Sequence, residues 1–178
     1  MLKLNNLEMI DIIEYSKLNK DIRAKLDILI ENEFGHIPIV KETEWAVPNW
    51  TIINYGSNDI QTFYNLILRE IKIDGVKCKI GGVNNVITPH QFRGKGHSTE
   101  TLSKTEYLIF EEFKCEYGIL LCADSLIPFY ERLNWYKINC PVYFNQSSGK
   151  KLWQANAMML SKSNNIQPIN IDLEGLPW

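Results

Sequence analysis

Apolar residues recur at two different spacings in the first part of the chain, and each spacing predicts a different element. Residues 7–15 alternate loosely between apolar and polar side chains, which is typical of a strand, with a short helix as the alternative. From Asn19 the spacing becomes helical. Asn19 can cap this helix and Gly35 can end it. The apolar face of the helix comprises Ile22, Leu26, Leu29, Ile30 and Phe34.

Three consecutive strands are predicted after a proline-containing segment. Residues 36–49 contain two prolines and no sustained period, so we expect a loop or a broken helix of the kind that often lines a site. The strands fall in residues 50–56, 59–73 and 76–88. Turn sequences at Gly56–Asp59 and Ile73–Val76 separate them. Strands joined by tight turns pair antiparallel, so this part of the chain predicts a meander.

The pattern of residues changes after Pro89, where the three consecutive predicted strands end. A loop with two glycines and two cations, residues 91–97, leads into a helix predicted over Ser98–Glu116. Residues 117–123 then form an apolar run suited to a strand that is buried on both faces.

A short helix and two more strands complete the predicted elements. The helix lies within residues 124–135, with Asp124 or Ser125 as its cap and Asn134 in a left-handed position at its end. The strands fall in residues 135–144 and 151–160, with a polar turn between them, and a tail follows.

Length, composition and charge limit the classes of protein to consider. The chain has 178 residues, 45% of them hydrophobic, which suits one domain over residues 1–178. The net charge of −2 and the absence of a basic run argue against nucleic acid. No stretch matches a signal peptide or a membrane span, so we expect a cytoplasmic protein without a membrane partner. Four widely spaced cysteines predict buried free thiols rather than a metal site.

The loop after Pro89 carries the chemistry. Backbone amides in a glycine-containing turn that leads into a helix form an anion site, and Arg93 and Lys95 add positive charge. A P-loop is excluded because Gly96, not Ser or Thr, follows Lys95. The dinucleotide spacing G-x-G-x-x-G is excluded because position 99 is Thr.

Two motifs resemble those of the GNAT superfamily of acetyltransferases. Gln91, Gly94 and Gly96 match its diphosphate loop Q/R-x-x-G-x-G/A, and residues 129–135, FYERLNW, are similar to its F-Y-x-x-x-G-F/W segment. The resemblance implies an α/β fold of the α+β type: a mixed, mostly antiparallel, splayed sheet of six to seven strands flanked by helices. It also implies acetyl-CoA as cosubstrate and a small-molecule amine as acceptor, and leaves a homodimer open.

The resemblance carries site residues with it. Tyr130 matches a catalytic tyrosine that returns a proton to the leaving thiolate. The pantetheine arm and the diphosphate would lie against the backbone of Val86, Ile87, Thr88, Gln91, Phe92, Arg93, Gly94, Lys95, Gly96 and His97.

A closer similarity, to the aminoglycoside 2′-N-acetyltransferases, extends along the chain. Matching segments include EFG, KETEW, GGVNNVIT, QFRGKGH and a terminal Trp after acidic residues. In that family the tail folds back to hold a cationic sugar. The substrate-binding groups implied here are the side chains of Glu42, Glu44, Asp172 and Glu174 and the carboxylate of Trp178.

One position departs from that family. Asn84 stands where the family has a Glu that acts as base through water, and an amide cannot accept that proton. A solvent chain to another carboxylate, a different acceptor such as another small amine or a peptide N-terminus, and a catalytically silent acyl-CoA-binding module therefore stay open. Cys122 could form an acetyl-enzyme, but a thiol within an apolar strand favours a packing role.

Overall fold

The computed structural model describes residues 2–3, 9–56 and 59–178. Within these residues eleven strands form one connected sheet. They are β1 (Leu2–Lys3), β2 (Met9–Glu14), β3 (Trp50–Tyr55), β4 (Ile60–Ile73), β5 (Val76–Ile87), β6 (Tyr117–Cys122), β7 (Tyr136–Ile138), β8 (Val142–Gln146), β9 (Gly149–Leu152), β10 (Asn156–Ser161) and β11 (Ile171–Asp172). The helices are α1 (Lys20–Phe34), α2 (Pro38–Glu42), α3 (His97–Ser103), α4 (Thr105–Tyr107) and α5 (Ile127–Glu131), with a π-helical turn at Leu108–Glu112.

The sheet is mixed and mostly antiparallel. Its main path runs β1-β2-β3-β4-β5-β6-β10-β7, and β11 pairs both β4 and β8, which continues to β9. The pairs β5–β6 and β8–β11 are parallel. The predicted fold class is therefore confirmed. The strand count exceeds the predicted six to seven for two reasons. Two predicted strands are each divided into two, and β1 and β11 have only two residues each and carry too little alternation to be recognised.

Several predicted element boundaries agree with the structure. Residues 9–14 form a strand, while residues 7–8 lie outside the described part of the chain. The Asn19 Oδ1 atom accepts a hydrogen bond from the Ile22 amide at 2.7 Å, which caps α1. Gly35 follows the last residue of α1 and keeps a right-handed φ of −62°. Two of the four residues of the predicted Gly56–Asp59 turn lie outside the described residues.

Positive φ values occur at the two turns where the sequence predicts left-handed backbone. In the β4–β5 turn, Asp74 and Gly75 have φ values of 51° and 80°, as a tight hairpin turn requires. Asn134 has φ of 66°, which confirms its predicted position after the short helix.

The helix predicted over Ser98–Glu116 ends earlier, at Glu112. The Phe113 amide bonds to the Leu108 carbonyl and the Cys115 amide to the Ile109 carbonyl, both at 2.8 Å. These wider hydrogen bonds close the helix around Lys114, whose φ is 53°.

The predicted cap of the short helix is wrong. Ala123 precedes the 3₁₀ turn Asp124–Leu126 that leads into α5, and no side chain caps either segment. The Asp124 carboxylate instead accepts a hydrogen bond from the Asn156 side chain at 2.8 Å.

Both late strands are interrupted. The strand predicted over residues 135–144 is split into β7 and β8 around Pro141, which has no N–H for a ladder. The strand predicted over residues 151–160 is split into β9 and β10.

Opposite faces of the sheet carry separate cores. Gly81 faces Ile109 of the π-helical turn, whereas its neighbour Gly82 faces the ring of Trp178. Because successive side chains of a strand point to opposite faces, the helices after the loop cover one face and the C-terminal tail covers the other. Leu26 of α1 packs in a third cluster with Phe63 of β4.

Cys78, Cys115 and Cys122 are buried free thiols, as predicted, and Cys140 is half-buried.

Among the helices of the described residues, none is long and apolar enough to cross a membrane.

Candidate functional site

The two central parallel strands separate along their length. Strand β5 pairs with β6 from Ile80–Tyr117 to Val83–Leu120, and the ladder recorded between them stops there. Beyond that point β5 pairs with β4, while β6 continues against β10 to Cys122. The sheet is thus splayed at its centre. Ligands of α/β sheets commonly bind in such a crevice, beyond the carboxyl ends of parallel strands.

A cleft of about 370 Å³ lies where the two strands have separated. The segment after β5 contributes the loop residues, and the segment after β6 contributes α5. The last turn of α1 closes a further side. The lining residues are Glu33, Phe34, Val86, Thr88, Phe92, Arg93, Gly94, Gly96, His97, Ser98, Leu126, Phe129 and Tyr130. A cleft of this volume lies within the range of small-molecule sites.

The glycines of the loop adopt conformations that other residues disfavour. Gly94 and Gly96 have φ values of 73° and 86°, and a Cβ at either position would meet no atom within 4 Å. Glycine is therefore favoured at both positions by the backbone conformation and not by crowding, since the space beside each residue is open. Gly96 immediately precedes α3, so the backbone amides of the loop lie next to the first residues of a helix.

The two cations of the loop are held differently. The Arg93 guanidinium donates from Nε to the Thr88 carbonyl at 2.9 Å and from Nη2 to Glu33 at 2.5 Å. The Lys95 ammonium donates to the Gln91 carbonyl at 3.1 Å and lies 5.8 Å from the ring centre of Phe92. Lys95 therefore packs over its own loop, whereas Arg93 lines the cleft.

Tyr130 projects from α5 into the cleft lining. Its ring packs edge-on against Phe129 and Trp135, with centroid distances of 5.0 and 6.5 Å, and only 6% of the residue is exposed. Burial, with a smaller contribution from the nearby Cys122 thiol, raises the pKa of the Tyr130 hydroxyl above its ordinary value. The hydroxyl therefore keeps its proton at neutral pH.

Cys122 ends β6 beside this tyrosine. Burial, assisted by the Asp124 carboxylate, raises the pKa of the thiol to about 11. A thiol with that pKa is almost entirely protonated at neutral pH and is a poor nucleophile.

Asn84 lies at a bulge of β5, directly after the last recorded pair with β6. Asn65 of β4 is opposite Asn84 and Phe63 is opposite Ile87, so Asn85 and Val86 together face a single β4 residue. Asn85 has φ of 51°. The Asn84 Oδ1 atom is buried and has no hydrogen-bond partner among the described residues. Such an acceptor carries a desolvation penalty that a bound N–H or O–H group can relieve.

The predicted acceptor residues lie in a different region, built from three segments. The Ala46 amide bonds to the Pro177 carbonyl at 2.8 Å, and the Asn145 amide bonds to the Gly175 carbonyl at 2.8 Å. The loop after α2, the β8–β9 hairpin and the C-terminal tail are therefore tied together. We call the joined segments, residues 43–46, 145–149 and 171–178, the tail platform.

Trp178 anchors the tail. The residue is 3% exposed, its ring fills the space beside Gly82, and its Nε1 atom donates to the Ile119 carbonyl at 3.3 Å. The Arg69 guanidinium lies 5.5 Å from the ring centre and donates to the Leu173 and Leu176 carbonyls. Gly82 and Ile119 are opposite each other in the β5–β6 ladder, one pair before the strands separate.

Most acidic side chains of the platform already have partners. Asp172 pairs with Lys150, and Glu174 pairs with Lys72 at 2.5 Å. Glu44 accepts hydrogen bonds from Ser147. Glu42 is exposed at the end of α2. The negative charge that this region offers to a cation is therefore smaller than the sequence alone indicates.

The structure brings together seven of the ten residues that were predicted to hold CoA, and adds Tyr130 to the same cleft. Ile87, Gln91 and Lys95 do not line it: the Ile87 side chain is buried against the α1 cluster, and the other two are exposed. The five lining residues that sequence reasoning missed are Glu33, Phe34, Ser98, Leu126 and Phe129. Phe129 is the first residue of the FYERLNW segment, and Ser98 and Leu126 lie within three residues of the two motifs, so all three could have been inferred. Glu33 and Phe34 come from α1, and no local signal marks them.

Comparisons with known proteins identify the architecture. No protein-family model and no curated protein matches the chain. Solved structures, in contrast, do match the chain. Escherichia coli ElaA superposes with a TM-score of 0.62 at 10% identity, over 87% of this chain and 100% of ElaA. The GNAT family N-acetyltransferase YhbS of E. coli, crystallised with CoA, superposes with a TM-score of 0.59 at 9% identity, over 98% and 93% of the two chains. The chain has the GNAT fold.

A third solved structure is also similar to this chain. FeeM, an N-acyl amino acid synthase from uncultured soil microbes, superposes with a TM-score of 0.55 at 12% identity, over 87% of this chain and 91% of FeeM. Within the described residues no group of three or more His, Cys, Asp or Glu side chains could hold a metal ion.

Proposed function

We propose that this protein transfers an acetyl group from acetyl-CoA directly to a primary amine of a small, cationic acceptor. The observation that carries the proposal is the cleft itself: the glycine loop after β5 and Tyr130 after β6 line one cavity at the point where the two central strands separate. A neighbour of the same fold, YhbS, was crystallised with CoA, which supports a CoA-containing donor.

The lining residues suit the parts of such a donor. The open backbone at Gly94 and Gly96 and the Arg93 guanidinium suit a diphosphate. Val86 and Thr88 lie at the end of β5, where strand β6 has moved away. Free backbone groups on such a strand edge can pair with the amides of a pantetheine arm, as an added strand would.

The chemistry requires three proton movements. The neutral amine attacks the thioester carbonyl, the C–N bond forms and the C–S bond breaks. The nitrogen releases a proton to solvent as it becomes the amide, and the thiolate takes a proton. We assign this last proton to the Tyr130 hydroxyl, since it lines the cleft and is protonated at neutral pH. The attacking amine must lose a proton first, because an ammonium has no lone pair.

Asn84 serves a different step in this proposal. Its buried, unpartnered Oδ1 accepts a hydrogen bond from the acceptor amine or from a water molecule beside it, and so orients the attack. An amide cannot take the proton, so that proton leaves through solvent towards a carboxylate. The exposed Glu42, at the end of α2, and Glu44, in the loop after α2, are the carboxylates that we assign to this path.

The tail platform forms the acceptor side of the proposal. Trp178 fills the space beside Gly82, and Asn84 is on the same face of β5 two residues later, at about 7 Å along the strand. Glu42, Glu44, Asp172, Glu174 and the Trp178 carboxylate surround the acceptor in this proposal. We infer an aminoglycoside-like amine, and the ion pairs of Asp172 and Glu174 make Lys150 and Lys72 competitors for those carboxylates.

The test is release of CoA thiol from acetyl-CoA against a panel of aminoglycosides, polyamines, amino acids and peptides with free N-termini. Amine-dependent release with one class names the acceptor. Release with neutral or acidic amines alone would refute the cationic acceptor while leaving acyl transfer intact. Binding of CoA without turnover on any amine would favour the alternative of a silent acyl-CoA-binding module, for which Asn84 is the supporting observation.

A further inference from the structure

Arg93 and Glu33 form the one ion pair within the lining of the cleft as described. Arg93 belongs to the loop, and Glu33 belongs to the last turn of α1, sixty residues earlier in the chain. A carboxylate is unexpected in a cleft that we propose to bind phosphates, because it repels them. Its position therefore requires a reason.

The hydrogen bonds of Arg93 divide its guanidinium into two edges. The Nε and Nη2 groups share one edge of the planar fork, and they donate to the Thr88 carbonyl and to Glu33. The two hydrogens of Nη1 and the second hydrogen of Nη2 make no hydrogen bond with any described residue. Two of these hydrogens lie on the edge formed by Nη1 and Nη2. That edge can donate two parallel hydrogen bonds to two oxygens of one phosphate group.

Both partners of the occupied edge are fixed in place. The Thr88 hydroxyl donates to the Thr62 hydroxyl, which donates to the Ile87 carbonyl, each at 2.8 Å. This connects Thr88 to the central strand β4. Glu33 is held by α1, which packs through Leu26 against Phe63 and Ile87. The guanidinium is thus clamped between the sheet and α1.

We propose that Glu33 is a positioning residue, which holds the Arg93 fork in the orientation that binds a phosphate group of the acyl-CoA donor. This rests on the proposed function, since it needs CoA to bind in the cleft. It goes beyond that function because it makes α1 part of the donor site. A shift of α1 away from the loop would release Arg93 and weaken donor binding.

The positioning role and simple charge repulsion predict opposite signs. If Glu33 only repels phosphate, or if CoA must displace it from Arg93, Glu33→Ala tightens CoA binding. If Glu33 positions Arg93, the same change weakens CoA binding although it removes a negative charge. An exposed ion pair is worth at most about a fivefold change in an equilibrium constant, so we expect Kd for CoA to rise about threefold to fivefold.

The experiment is calorimetric titration of CoA into the wild type, Glu33→Ala, Arg93→Ala and the double variant. We expect the Glu33 change to cause no further loss of affinity in the Arg93→Ala background, because a positioning residue acts through the group it positions. Glu33→Gln, whose amide oxygen can still accept from Arg93, should lie between wild type and Glu33→Ala. Glu31→Ala removes an exposed carboxylate from the same helix and is the matched control, with Kd unchanged.

Two results separate the possible failures. Tighter binding by Glu33→Ala, or an equal loss with and without Arg93, would overturn the positioning role while CoA binding by the wild type still stands. An absence of CoA binding by the wild type would instead overturn the proposed function on which the role rests.

Discussion

Replacing Trp178 with Ala tests whether the C-terminal residue anchors the tail platform. The indole is 3% exposed and fills the space beside Gly82. Truncating a buried aromatic side chain costs about 3–5 kcal/mol in the free energy of unfolding. We take the lower end of this range for the packing of the ring alone.

Two further contacts are lost with the ring. The hydrogen bond from Nε1 to the Ile119 carbonyl contributes about 1 kcal/mol, and the cation–π contact with Arg69 contributes about 0.5–1 kcal/mol. We therefore expect Trp178→Ala to lower the free energy of unfolding by about 4.5 kcal/mol. With a urea m-value of about 2 kcal/mol/M, the midpoint should fall by about 2 M.

The assay is urea unfolding followed by far-ultraviolet circular dichroism, with calorimetric CoA titration of the folded variant alongside. Trp178→Phe keeps a ring beside Gly82 and should lose about a third as much stability. Because Trp178 does not line the cleft, CoA binding should persist in both variants while amine-dependent turnover falls. A midpoint within about 0.3 M of wild type for Trp178→Ala would refute the anchoring role.

Three other changes test the remaining steps. Tyr130→Phe should lower kcat about 100-fold with Kd for CoA unchanged, since only the proton donor is lost; unchanged kcat in steady-state assays would remove Tyr130 from the mechanism. Cys122→Ala should leave kcat within about twofold, because a thiol of pKa about 11 is not the nucleophile; a loss as large as that of Tyr130→Phe would favour an acetyl-enzyme. Partial burial raises the pKa of Asp172, but hydrogen bonds from Lys150 and the Glu174 amide outweigh it and keep that pKa below its ordinary value. Stability from a depressed carboxyl pKa is present above the unfolded-state pKa and is lost as pH falls through the folded-state pKa. Lys150→Met should therefore lower Tm at pH 7 and cease to do so near pH 2; a difference in Tm that stays constant across that range would contradict the ion pair.

The elements with strong local signals were predictable from the sequence. Asn19 and Asn134 marked helix ends because each satisfies a specific backbone requirement, a capped amide or a left-handed φ. The β4–β5 hairpin followed from the Asp74-Gly75 turn. The two motifs led to the GNAT fold and placed the loop and Tyr130 in one cleft, because both follow parallel strands that are neighbours in the sheet.

What escaped prediction depends on contacts between distant segments. Glu33 reaches the cleft only because α1 packs across β4 and β5, and its partner Arg93 is sixty residues away. The ion pairs of Asp172 and Glu174 depend on β11 lying between β4 and β8. The sequence therefore indicated two acidic side chains but not the lysines that pair with them. The early end of the long helix depends on Lys114 adopting a left-handed φ, for which Lys gives no signal.

The most direct test of the account is calorimetric titration of CoA into the wild type and Gly96→Ala, with Gly149→Ala as control. Both glycines have positive φ and open space beside them, but only Gly96 lines the cleft. We expect one CoA per chain for the wild type and Gly149→Ala, and clearly weaker binding for Gly96→Ala, whose loop must leave its left-handed conformation. Absence of CoA binding by the wild type, or equal affinity in all three proteins, would contradict it.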